Sequence, residues 1–228
     1  MDIDAVPNHV AYRTAIDNVT RLVADHPVAD DLPIPSCPEW TVRDLVAHLV
    51  GICALAIGRT SQWAEVGRSS AAMGVGGLLE EWTRMAGRAE SALAACGGRR
   101  GSIMVLDAFT HELDLRYAAG APLPPEHPAF SRAFEVLLNG FSTEVAAHDL
   151  PAVLIAVDGR QWKAGVGEPA ATLSGDRYDI YRSLAGRRTH EQITRLRWSR
   201  DSHRWLPAFT WGPFHPPTQP VENLVTVS

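Results

Sequence analysis

Asp107, His111 and Asp114 are the residues of this 228-residue chain whose types and spacing are best suited to chemistry. On a helix, positions four and three apart bring all three within about 60° of arc. Leu106, Phe109, Leu113 and Tyr117 form an apolar stripe elsewhere on the wheel, so the three make a polar ridge beside it. A carboxylate and a histidine at (i, i+4) can chelate one divalent cation from a single helix. The same spacing more often marks a solvated face with an ordinary acid–histidine pair. An earlier segment offers a further ligand. His48 lies about 60° from Leu45, at the edge of that helix's apolar stripe. A histidine there is commonly a partly buried, hydrogen-bonded residue. Pointed into a bundle interior, it would complete a set of two nitrogens and one oxygen with an open fourth position, as in catalytic zinc sites.

The elements that must position these residues are helical. A first helix is predicted over 8–26, with Tyr12, Ala15, Ile16, Val19, Leu22 and Val23 as its stripe. A proline-rich connector follows. Thr41 is a good N-cap for the second helix, and Asp44 sits where a carboxylate suits the positive helix end. The second stripe is Val42, Leu45, Val46, Leu49, Cys53 and Ala56. A long loop is predicted over 59–77, of a length that suits a lid. A third helix is predicted over 78–95 with Leu78, Leu79, Trp82, Met85, Ala86, Ala89 and Leu93 inward. The fourth, over 102–119, carries the polar ridge. Four amphipathic helices of this kind make a four-helix bundle.

Pro122, Pro124, Pro125 and Pro128 break the helical pattern, and a domain boundary is placed at residue 125. Residues 126–228 read as a small α+β domain. It has a helix over 128–147, a strand over 153–157, an Asp158-Gly159 turn, a return strand over 161–164 and a third strand over 170–174. Asp176 caps a helix ending at Leu184, and Thr189 with Gln192 has capping-box spacing. The tail from Pro207 is expected to wrap the surface.

Composition narrows the function. The balance of 21 basic against 26 acidic residues leaves a net charge of −5, which speaks against nucleic acid as a partner. No apolar run is long enough for a membrane span. The N-terminus is acidic where a signal peptide would be basic. Three widely spaced cysteines (Cys37, Cys53, Cys96) do not suggest a disulfide scaffold, and a cytoplasmic location is expected. Cys37 reads first as a small packing residue and second as a thiol facing a site. Cys53 reads as core. Trp63 and Trp82 are large enough to line a pocket, Trp82 more simply being core. There is no phosphate loop, nucleophile elbow or C-x-x-C pair.

The segment Pro35-Ser36-Cys37-Pro38-Glu39-Trp40-Thr41-Val42-Arg43-Asp44-Leu45-Val46-Ala47-His48-Leu49 resembles the N-terminal signature of the mycothiol-dependent maleylpyruvate isomerase family. A second match is Asp107-x-x-x-His111-x-x-Asp114-Leu115-x-x-Ala118-x-Gly120. Further matches follow in order at Gly167-Glu168-Pro169-Ala170-Ala171-Thr172, at Leu184-Ala185-Gly186-Arg187-Arg188-Thr189 and at Arg197-Trp198. The resemblance implies a mainly α protein: a DinB-like four-helix bundle over 1–125, then a small sterol-carrier-like α+β domain over 126–228. It implies metal ligands at His48, Asp107 and His111, with zinc the usual metal, and Asp114 orienting a ligand. It also implies a catalytic arginine from the second domain, for which Arg187, Arg188 and Arg197 are candidates. The family usually has glutamate where this chain has Asp107. Aspartate is one methylene shorter, which reduces that ligand's reach and weakens the expected metal affinity.

Three functions follow as expectations. The first is a metal-dependent transferase or isomerase that uses mycothiol or a similar low-molecular-weight thiol on a small electrophile. The second is a non-catalytic ligand-binding protein whose metal site is lost or weakened. The third is a metal-dependent hydrolase, in which the open position activates water.

Overall fold

The computed structural model describes residues 6–26, 28–58, 73–96 and 98–225. The chain divides into two compact units, Met1–Ala133 and Phe134–Ser228. In the first, α1 (Asn8–Asp25) buries Ala11, Tyr12, Ala15, Ile16, Val19 and Leu22, the face its periodicity predicts. The proline-rich connector is not merely a spacer. It folds as an antiparallel hairpin of β1 (Pro33–Ile34) and β2 (Cys37–Thr41). Strands this short carry no readable period. Pro33 and Pro38 are tolerated because each strand has a free edge.

β2 runs directly into α2 (Val42–Ala56), and a capping box makes the join. The Asp44 N–H donates to Thr41 Oγ1 at 3.2 Å, and the Thr41 N–H donates to Asp44 Oδ2 at 3.0 Å. The bonds from Thr41 hold the Asp44 carboxyl below its usual range. α2 buries Val42, Leu45, Val46, Leu49 and Cys53, while Ala56 is exposed. Burial pushes the Cys53 thiol up to about 11.

Helix α3 (Val75–Cys96) starts at Val75 instead of Leu78. Its first N–H groups need acceptors, and the Val75 N–H donates to Asp30 Oδ2 at 3.1 Å. Of the loop expected over 59–77, residues 59–72, including Trp63, lie outside the described residues, and 75–77 are helical. Trp82 is fully buried and its indole N–H donates to Tyr12 Oη at 3.1 Å.

Helix α4 (Gly98–Ala119) starts at Gly98 instead of Ser102. It is buried on nearly every side from Met104 to Leu115, and the buried set includes Thr110, His111, Glu112 and Asp114. A solvated polar face is therefore excluded for the ridge. α1 packs against α3 and α4, and α2 packs against α3. Glu112, with no exposed surface, accepts from Arg116 Nε at 2.9 Å, Asn18 Nδ2 at 3.2 Å and His127 Nε2 at 2.9 Å. His127 Nδ1 accepts the Ala129 N–H at 3.0 Å, so Nε2 carries the ring proton toward Glu112. These bonds pin the proline-rich stretch after α4.

The second unit contains most of α5 (Phe130–Ala147) and a four-stranded sheet of β3 (Val153–Val157), β4 (Arg160–Ala164), β5 (Ala171–Ser174) and β6 (Arg197–Trp198), in the order β4-β3-β5-β6. β3 pairs antiparallel with β4 and parallel with β5, and β5 pairs antiparallel with β6. Asp158 and Gly159 both have positive φ, 49° and 75°, as a tight hairpin turn requires. Asp176 caps α6 (Arg177–Leu184), and Thr189 with Gln192 forms the capping box of α7 (His190–Thr194). Among the described residues the chain is thus mainly α, with α1 to α4 in the first unit and a smaller α+β unit after it. Among the described residues, no helix is long and apolar enough to cross a membrane.

The tail does more than wrap a surface. A 3-10 helix, Ser202–Phe209, buries Trp205, Ala208 and Phe209. The Trp211 ring lies against Gly140, where any Cβ would meet it at 2.2 Å. Glu222 reaches inside. Its carboxylate accepts from Arg182 Nε at 3.0 Å and from Arg188, and its carbonyl accepts from Gln192 Nε2 at 2.6 Å. Arg188 also donates to Asp179 at 3.1 Å, and Asp179 accepts the Val225 N–H at 3.0 Å. Burial pushes the Asp179 carboxyl up, opposed by the Val225 N–H and the Arg188 charge.

Three variants test these contacts. Thr41→Ala should lower the unfolding free energy in urea by about 1 kcal/mol. The Asp44 pKa is lowered by folding, so its contribution is full above the ordinary carboxylate range and lost as pH falls through the lowered value. Asp44→Asn should therefore flatten the acid side of the stability profile. Glu222→Ala leaves two buried guanidinium groups without that partner and should cost about 3–5 kcal/mol, measured in the same way.

Candidate functional site

Three elements meet at the polar ridge of α4. α4 supplies Asp107, His111 and Asp114, α2 supplies His48, and β2 supplies Cys37 and Trp40. His48 Nε2 lies 3.0 Å from Asp107 Oδ1, and His111 Nε2 lies 3.6 Å from the same oxygen. One ligand atom from each of His48, Asp107 and His111 falls within 4.8 Å of the others. The shorter aspartate side chain therefore still brings its carboxylate between the two imidazoles.

Hydrogen bonding determines which atoms are available. Asp114 is fully buried, and its Oδ2 lies 2.9 Å from His111 Nδ1. An ionised carboxylate only accepts, so His111 donates through Nδ1 and turns the lone pair of Nε2 toward Asp107 and His48. This is the arrangement by which an outer carboxylate orients a metal-ligating histidine. Asp107 Oδ2 is buried and has no hydrogen-bond partner among the described residues. An orphaned carboxylate oxygen in a buried position is costly unless something pairs with it. Two imidazole nitrogens and that carboxylate suit a divalent cation of the zinc type. About a quarter of the His48 and Asp107 side chains stays exposed, against a tenth of His111, so the set opens to solvent on one side.

A second set, Cys37, His111 and Asp114, also falls within 4.8 Å. It suits a cation less well. His111 Nδ1 is already bonded to Asp114, and the Cys37 thiol donates to Asp114 at 3.9 Å. Using this set would break both bonds, whereas the first set leaves the His111–Asp114 bond intact.

Trp40 is the residue that spacing does not reveal. Its ring centroid lies 4.9 Å from that of His48 and 5.4 Å from that of His111, and the two imidazoles are 5.0 Å apart. In the sequence it stands within the Pro35–Leu49 signature, directly before the Thr41 cap, and it is the β1–β2 hairpin that brings it to the site. Cys37 arrives beside Asp114 by the same hairpin.

The three arginines lie in the second unit. Arg188 is fully buried and paired with Glu222 and Asp179. Arg187 is buried, donates to the Ala185 carbonyl at 2.8 Å and lies over the Phe214 ring at 5.9 Å. Arg197 is exposed on β6.

No curated protein matches the chain. Two crystal structures share the fold. One is of the mycothiol-dependent maleylpyruvate isomerase, at TM-score 0.55 and 14% identity, over 86% of this chain and 92% of that one. The other is of a histidine-to-alanine mutant of that isomerase, at TM-score 0.53, with the same identity and coverage. The family described as mycothiol maleylpyruvate isomerase N-terminal domain matches residues 12–137, more than half of the chain, and the protein belongs to that family.

Proposed function

We propose that the protein is an enzyme of the reducing cytoplasm that combines a low-molecular-weight thiol of the mycothiol type with a small electrophilic acid. It acts as an S-transferase or a thiol-dependent isomerase at a divalent-metal site formed by His48, Asp107 and His111. The observation that carries this reading is the orphaned Asp107 Oδ2 beside two imidazole nitrogens. The use of mycothiol is supported by the family and by the isomerases that share the fold. Zinc is the first choice of metal because two nitrogens and one oxygen leave its fourth position open.

A metal held there would supply a Lewis acid that lowers a thiol pKa and keeps it as thiolate at neutral pH. The residues of this chain do the rest. Asp114 accepts from His111 Nδ1 and so favours the tautomer that presents Nε2 as an acceptor. His48 Nε2 lies at hydrogen-bonding distance from Asp107, and ligation requires that nitrogen to be free of its proton. The solvent-exposed side of the set admits the thiol. Its sulfur adds to an electrophilic carbon of the second substrate. The addition breaks the π bond of an activated C=C and moves its electron pair onto the conjugated carbonyl. Uptake of the proton lost by the thiol would complete a transfer, whereas rotation about the former double bond and return of the pair with expulsion of the thiolate would complete an isomerisation. Arginine suits the substrate carboxylate because its planar fork pairs bidentately. Arg187, Arg188 and Arg197 are the candidates, and of these the Arg188 guanidinium is held by Glu222 and Asp179.

Elemental mass spectrometry of the purified protein should find about one zinc per chain, with little or none in His48→Ala. Failure of the wild type to take up zinc, manganese, nickel or iron on reconstitution would overturn the metal reading and leave a ligand-binding protein. Turnover of an electrophile panel should require added thiol, and hydrolysis without thiol would instead favour a metal-dependent hydrolase. Asp114→Asn should weaken metal binding by about 10- to 100-fold, measured by chelator competition, because a neutral amide is a weaker acceptor for the His111 Nδ1–H than the carboxylate.

A further inference from the structure

The two histidines of the site are held in different ways. His111 has its outer anchor, Asp114, at 2.9 Å. His48 has none. Its ring nitrogens make one hydrogen bond among the described residues, to Asp107, which is itself a member of the candidate ligand set. A metal-ligating histidine ordinarily donates its second nitrogen to a carboxylate or carbonyl that sets the ring plane. What His48 has in that place is an aromatic neighbour. The Trp40 ring lies 4.9 Å from it, tilted by 42°. The same indole lies 5.4 Å from His111, tilted by 35°. It belongs to neither helix. It reaches the site from β2, directly before the Thr41 cap of α2, so the capping box that starts α2 also fixes the indole against the ring one helical face further on.

We infer that Trp40 is a positioning residue of the metal site, its indole setting the ring plane of His48 in place of the missing outer hydrogen bond. The inference rests on the proposed metal site. Aromatic contacts at 4.5–7 Å contribute modestly beyond their area. A ligated imidazole gains positive character, which an indole face favours. Trp40 therefore stabilises the metal-loaded site more than the metal-free protein.

The test is a titration of the metal-free protein with zinc alone, in competition with a chromophoric chelator, for wild type, Trp40→Phe, Trp40→Leu and Trp40→Ala. Trp40→Ala and Trp40→Leu should bind zinc about three- to tenfold more weakly, the range expected of one aromatic contact, while Trp40→Phe stays close to wild type. Cobalt in place of zinc should give a visible ligand-field spectrum that Trp40→Leu shifts and Trp40→Phe preserves. Metal-free melting temperatures of Trp40→Leu and Trp40→Phe should agree, so that a general packing defect cannot account for the difference in affinity. Equal zinc affinity in wild type and Trp40→Leu would overturn the positioning role while leaving the metal site standing. Rescue failing in Trp40→Phe would also overturn it, because the role then does not belong to the aromatic ring. No zinc binding by wild type would overturn the underlying metal reading itself.

Discussion

A carboxylate oxygen buried without a partner among the described residues is the constraint around which the first unit is organised. Asp107 sits between His48 and His111 with one oxygen occupied and one left over. An apolar bundle of this size could exclude such a group at less cost. The fold instead surrounds it with groups aimed at it. Asp114, inside the core, sets the proton position on His111, and Trp40 covers both imidazoles. Local cost concentrated at a cluster of ligand-type side chains is what an active centre shows, since preorganised polar groups are held there by the rest of the structure.

The two units handle buried charge by the same physical device. In the first, Glu112 gathers Asn18, Arg116 and His127 and so fastens the proline-rich segment after α4. In the second, Glu222 gathers Arg182, Arg188 and Gln192 and so fastens the C-terminal tail. Each hub is a carboxylate at or near zero exposure whose partners come from separate segments. Around His127 and around Glu222 the chain has no helix or strand of its own to hold it. A buried charge satisfied only in one arrangement gives it a unique position, at a desolvation cost that the multiple hydrogen bonds offset. The Glu222 hub occupies Arg188, which the family resemblance alone would have offered equally with Arg187 and Arg197 as a substrate partner.

Much of the local structure was legible because its causes are local. The stripes of α1 and α3 name their buried faces, since burial on one side imposes a 3.6-residue period. Thr41 with Asp44 and Thr189 with Gln192 mark helix starts because a side chain three residues away is the nearest available partner for an orphan N–H. Asp158-Gly159 marks its hairpin through the positive φ that the turn needs. Elements whose reason is not local were missed. β6 is two residues long and exists only because β5 offers it an edge. The β1–β2 hairpin has no period and contains prolines, so its sequence reads as a spacer.

The sequence by itself determined the ligand-type side chains and the family motifs that contain them. Asp107, His111 and Asp114 share a helix face through backbone geometry alone, whatever surrounds that helix. Only the tertiary structure decided what that face means. The spacing is the same for a solvated ridge and for a buried chelating set, and α4 is buried on nearly every side because other elements cover it. The choice of His111 Nε2 over Nδ1 depends on Asp114 being buried and on His48 arriving from another helix. The place of Trp40 depends on a hairpin closing over both rings. These are contacts between segments far apart in the chain. Their energies come from desolvation and packing that exist only once the chain has folded.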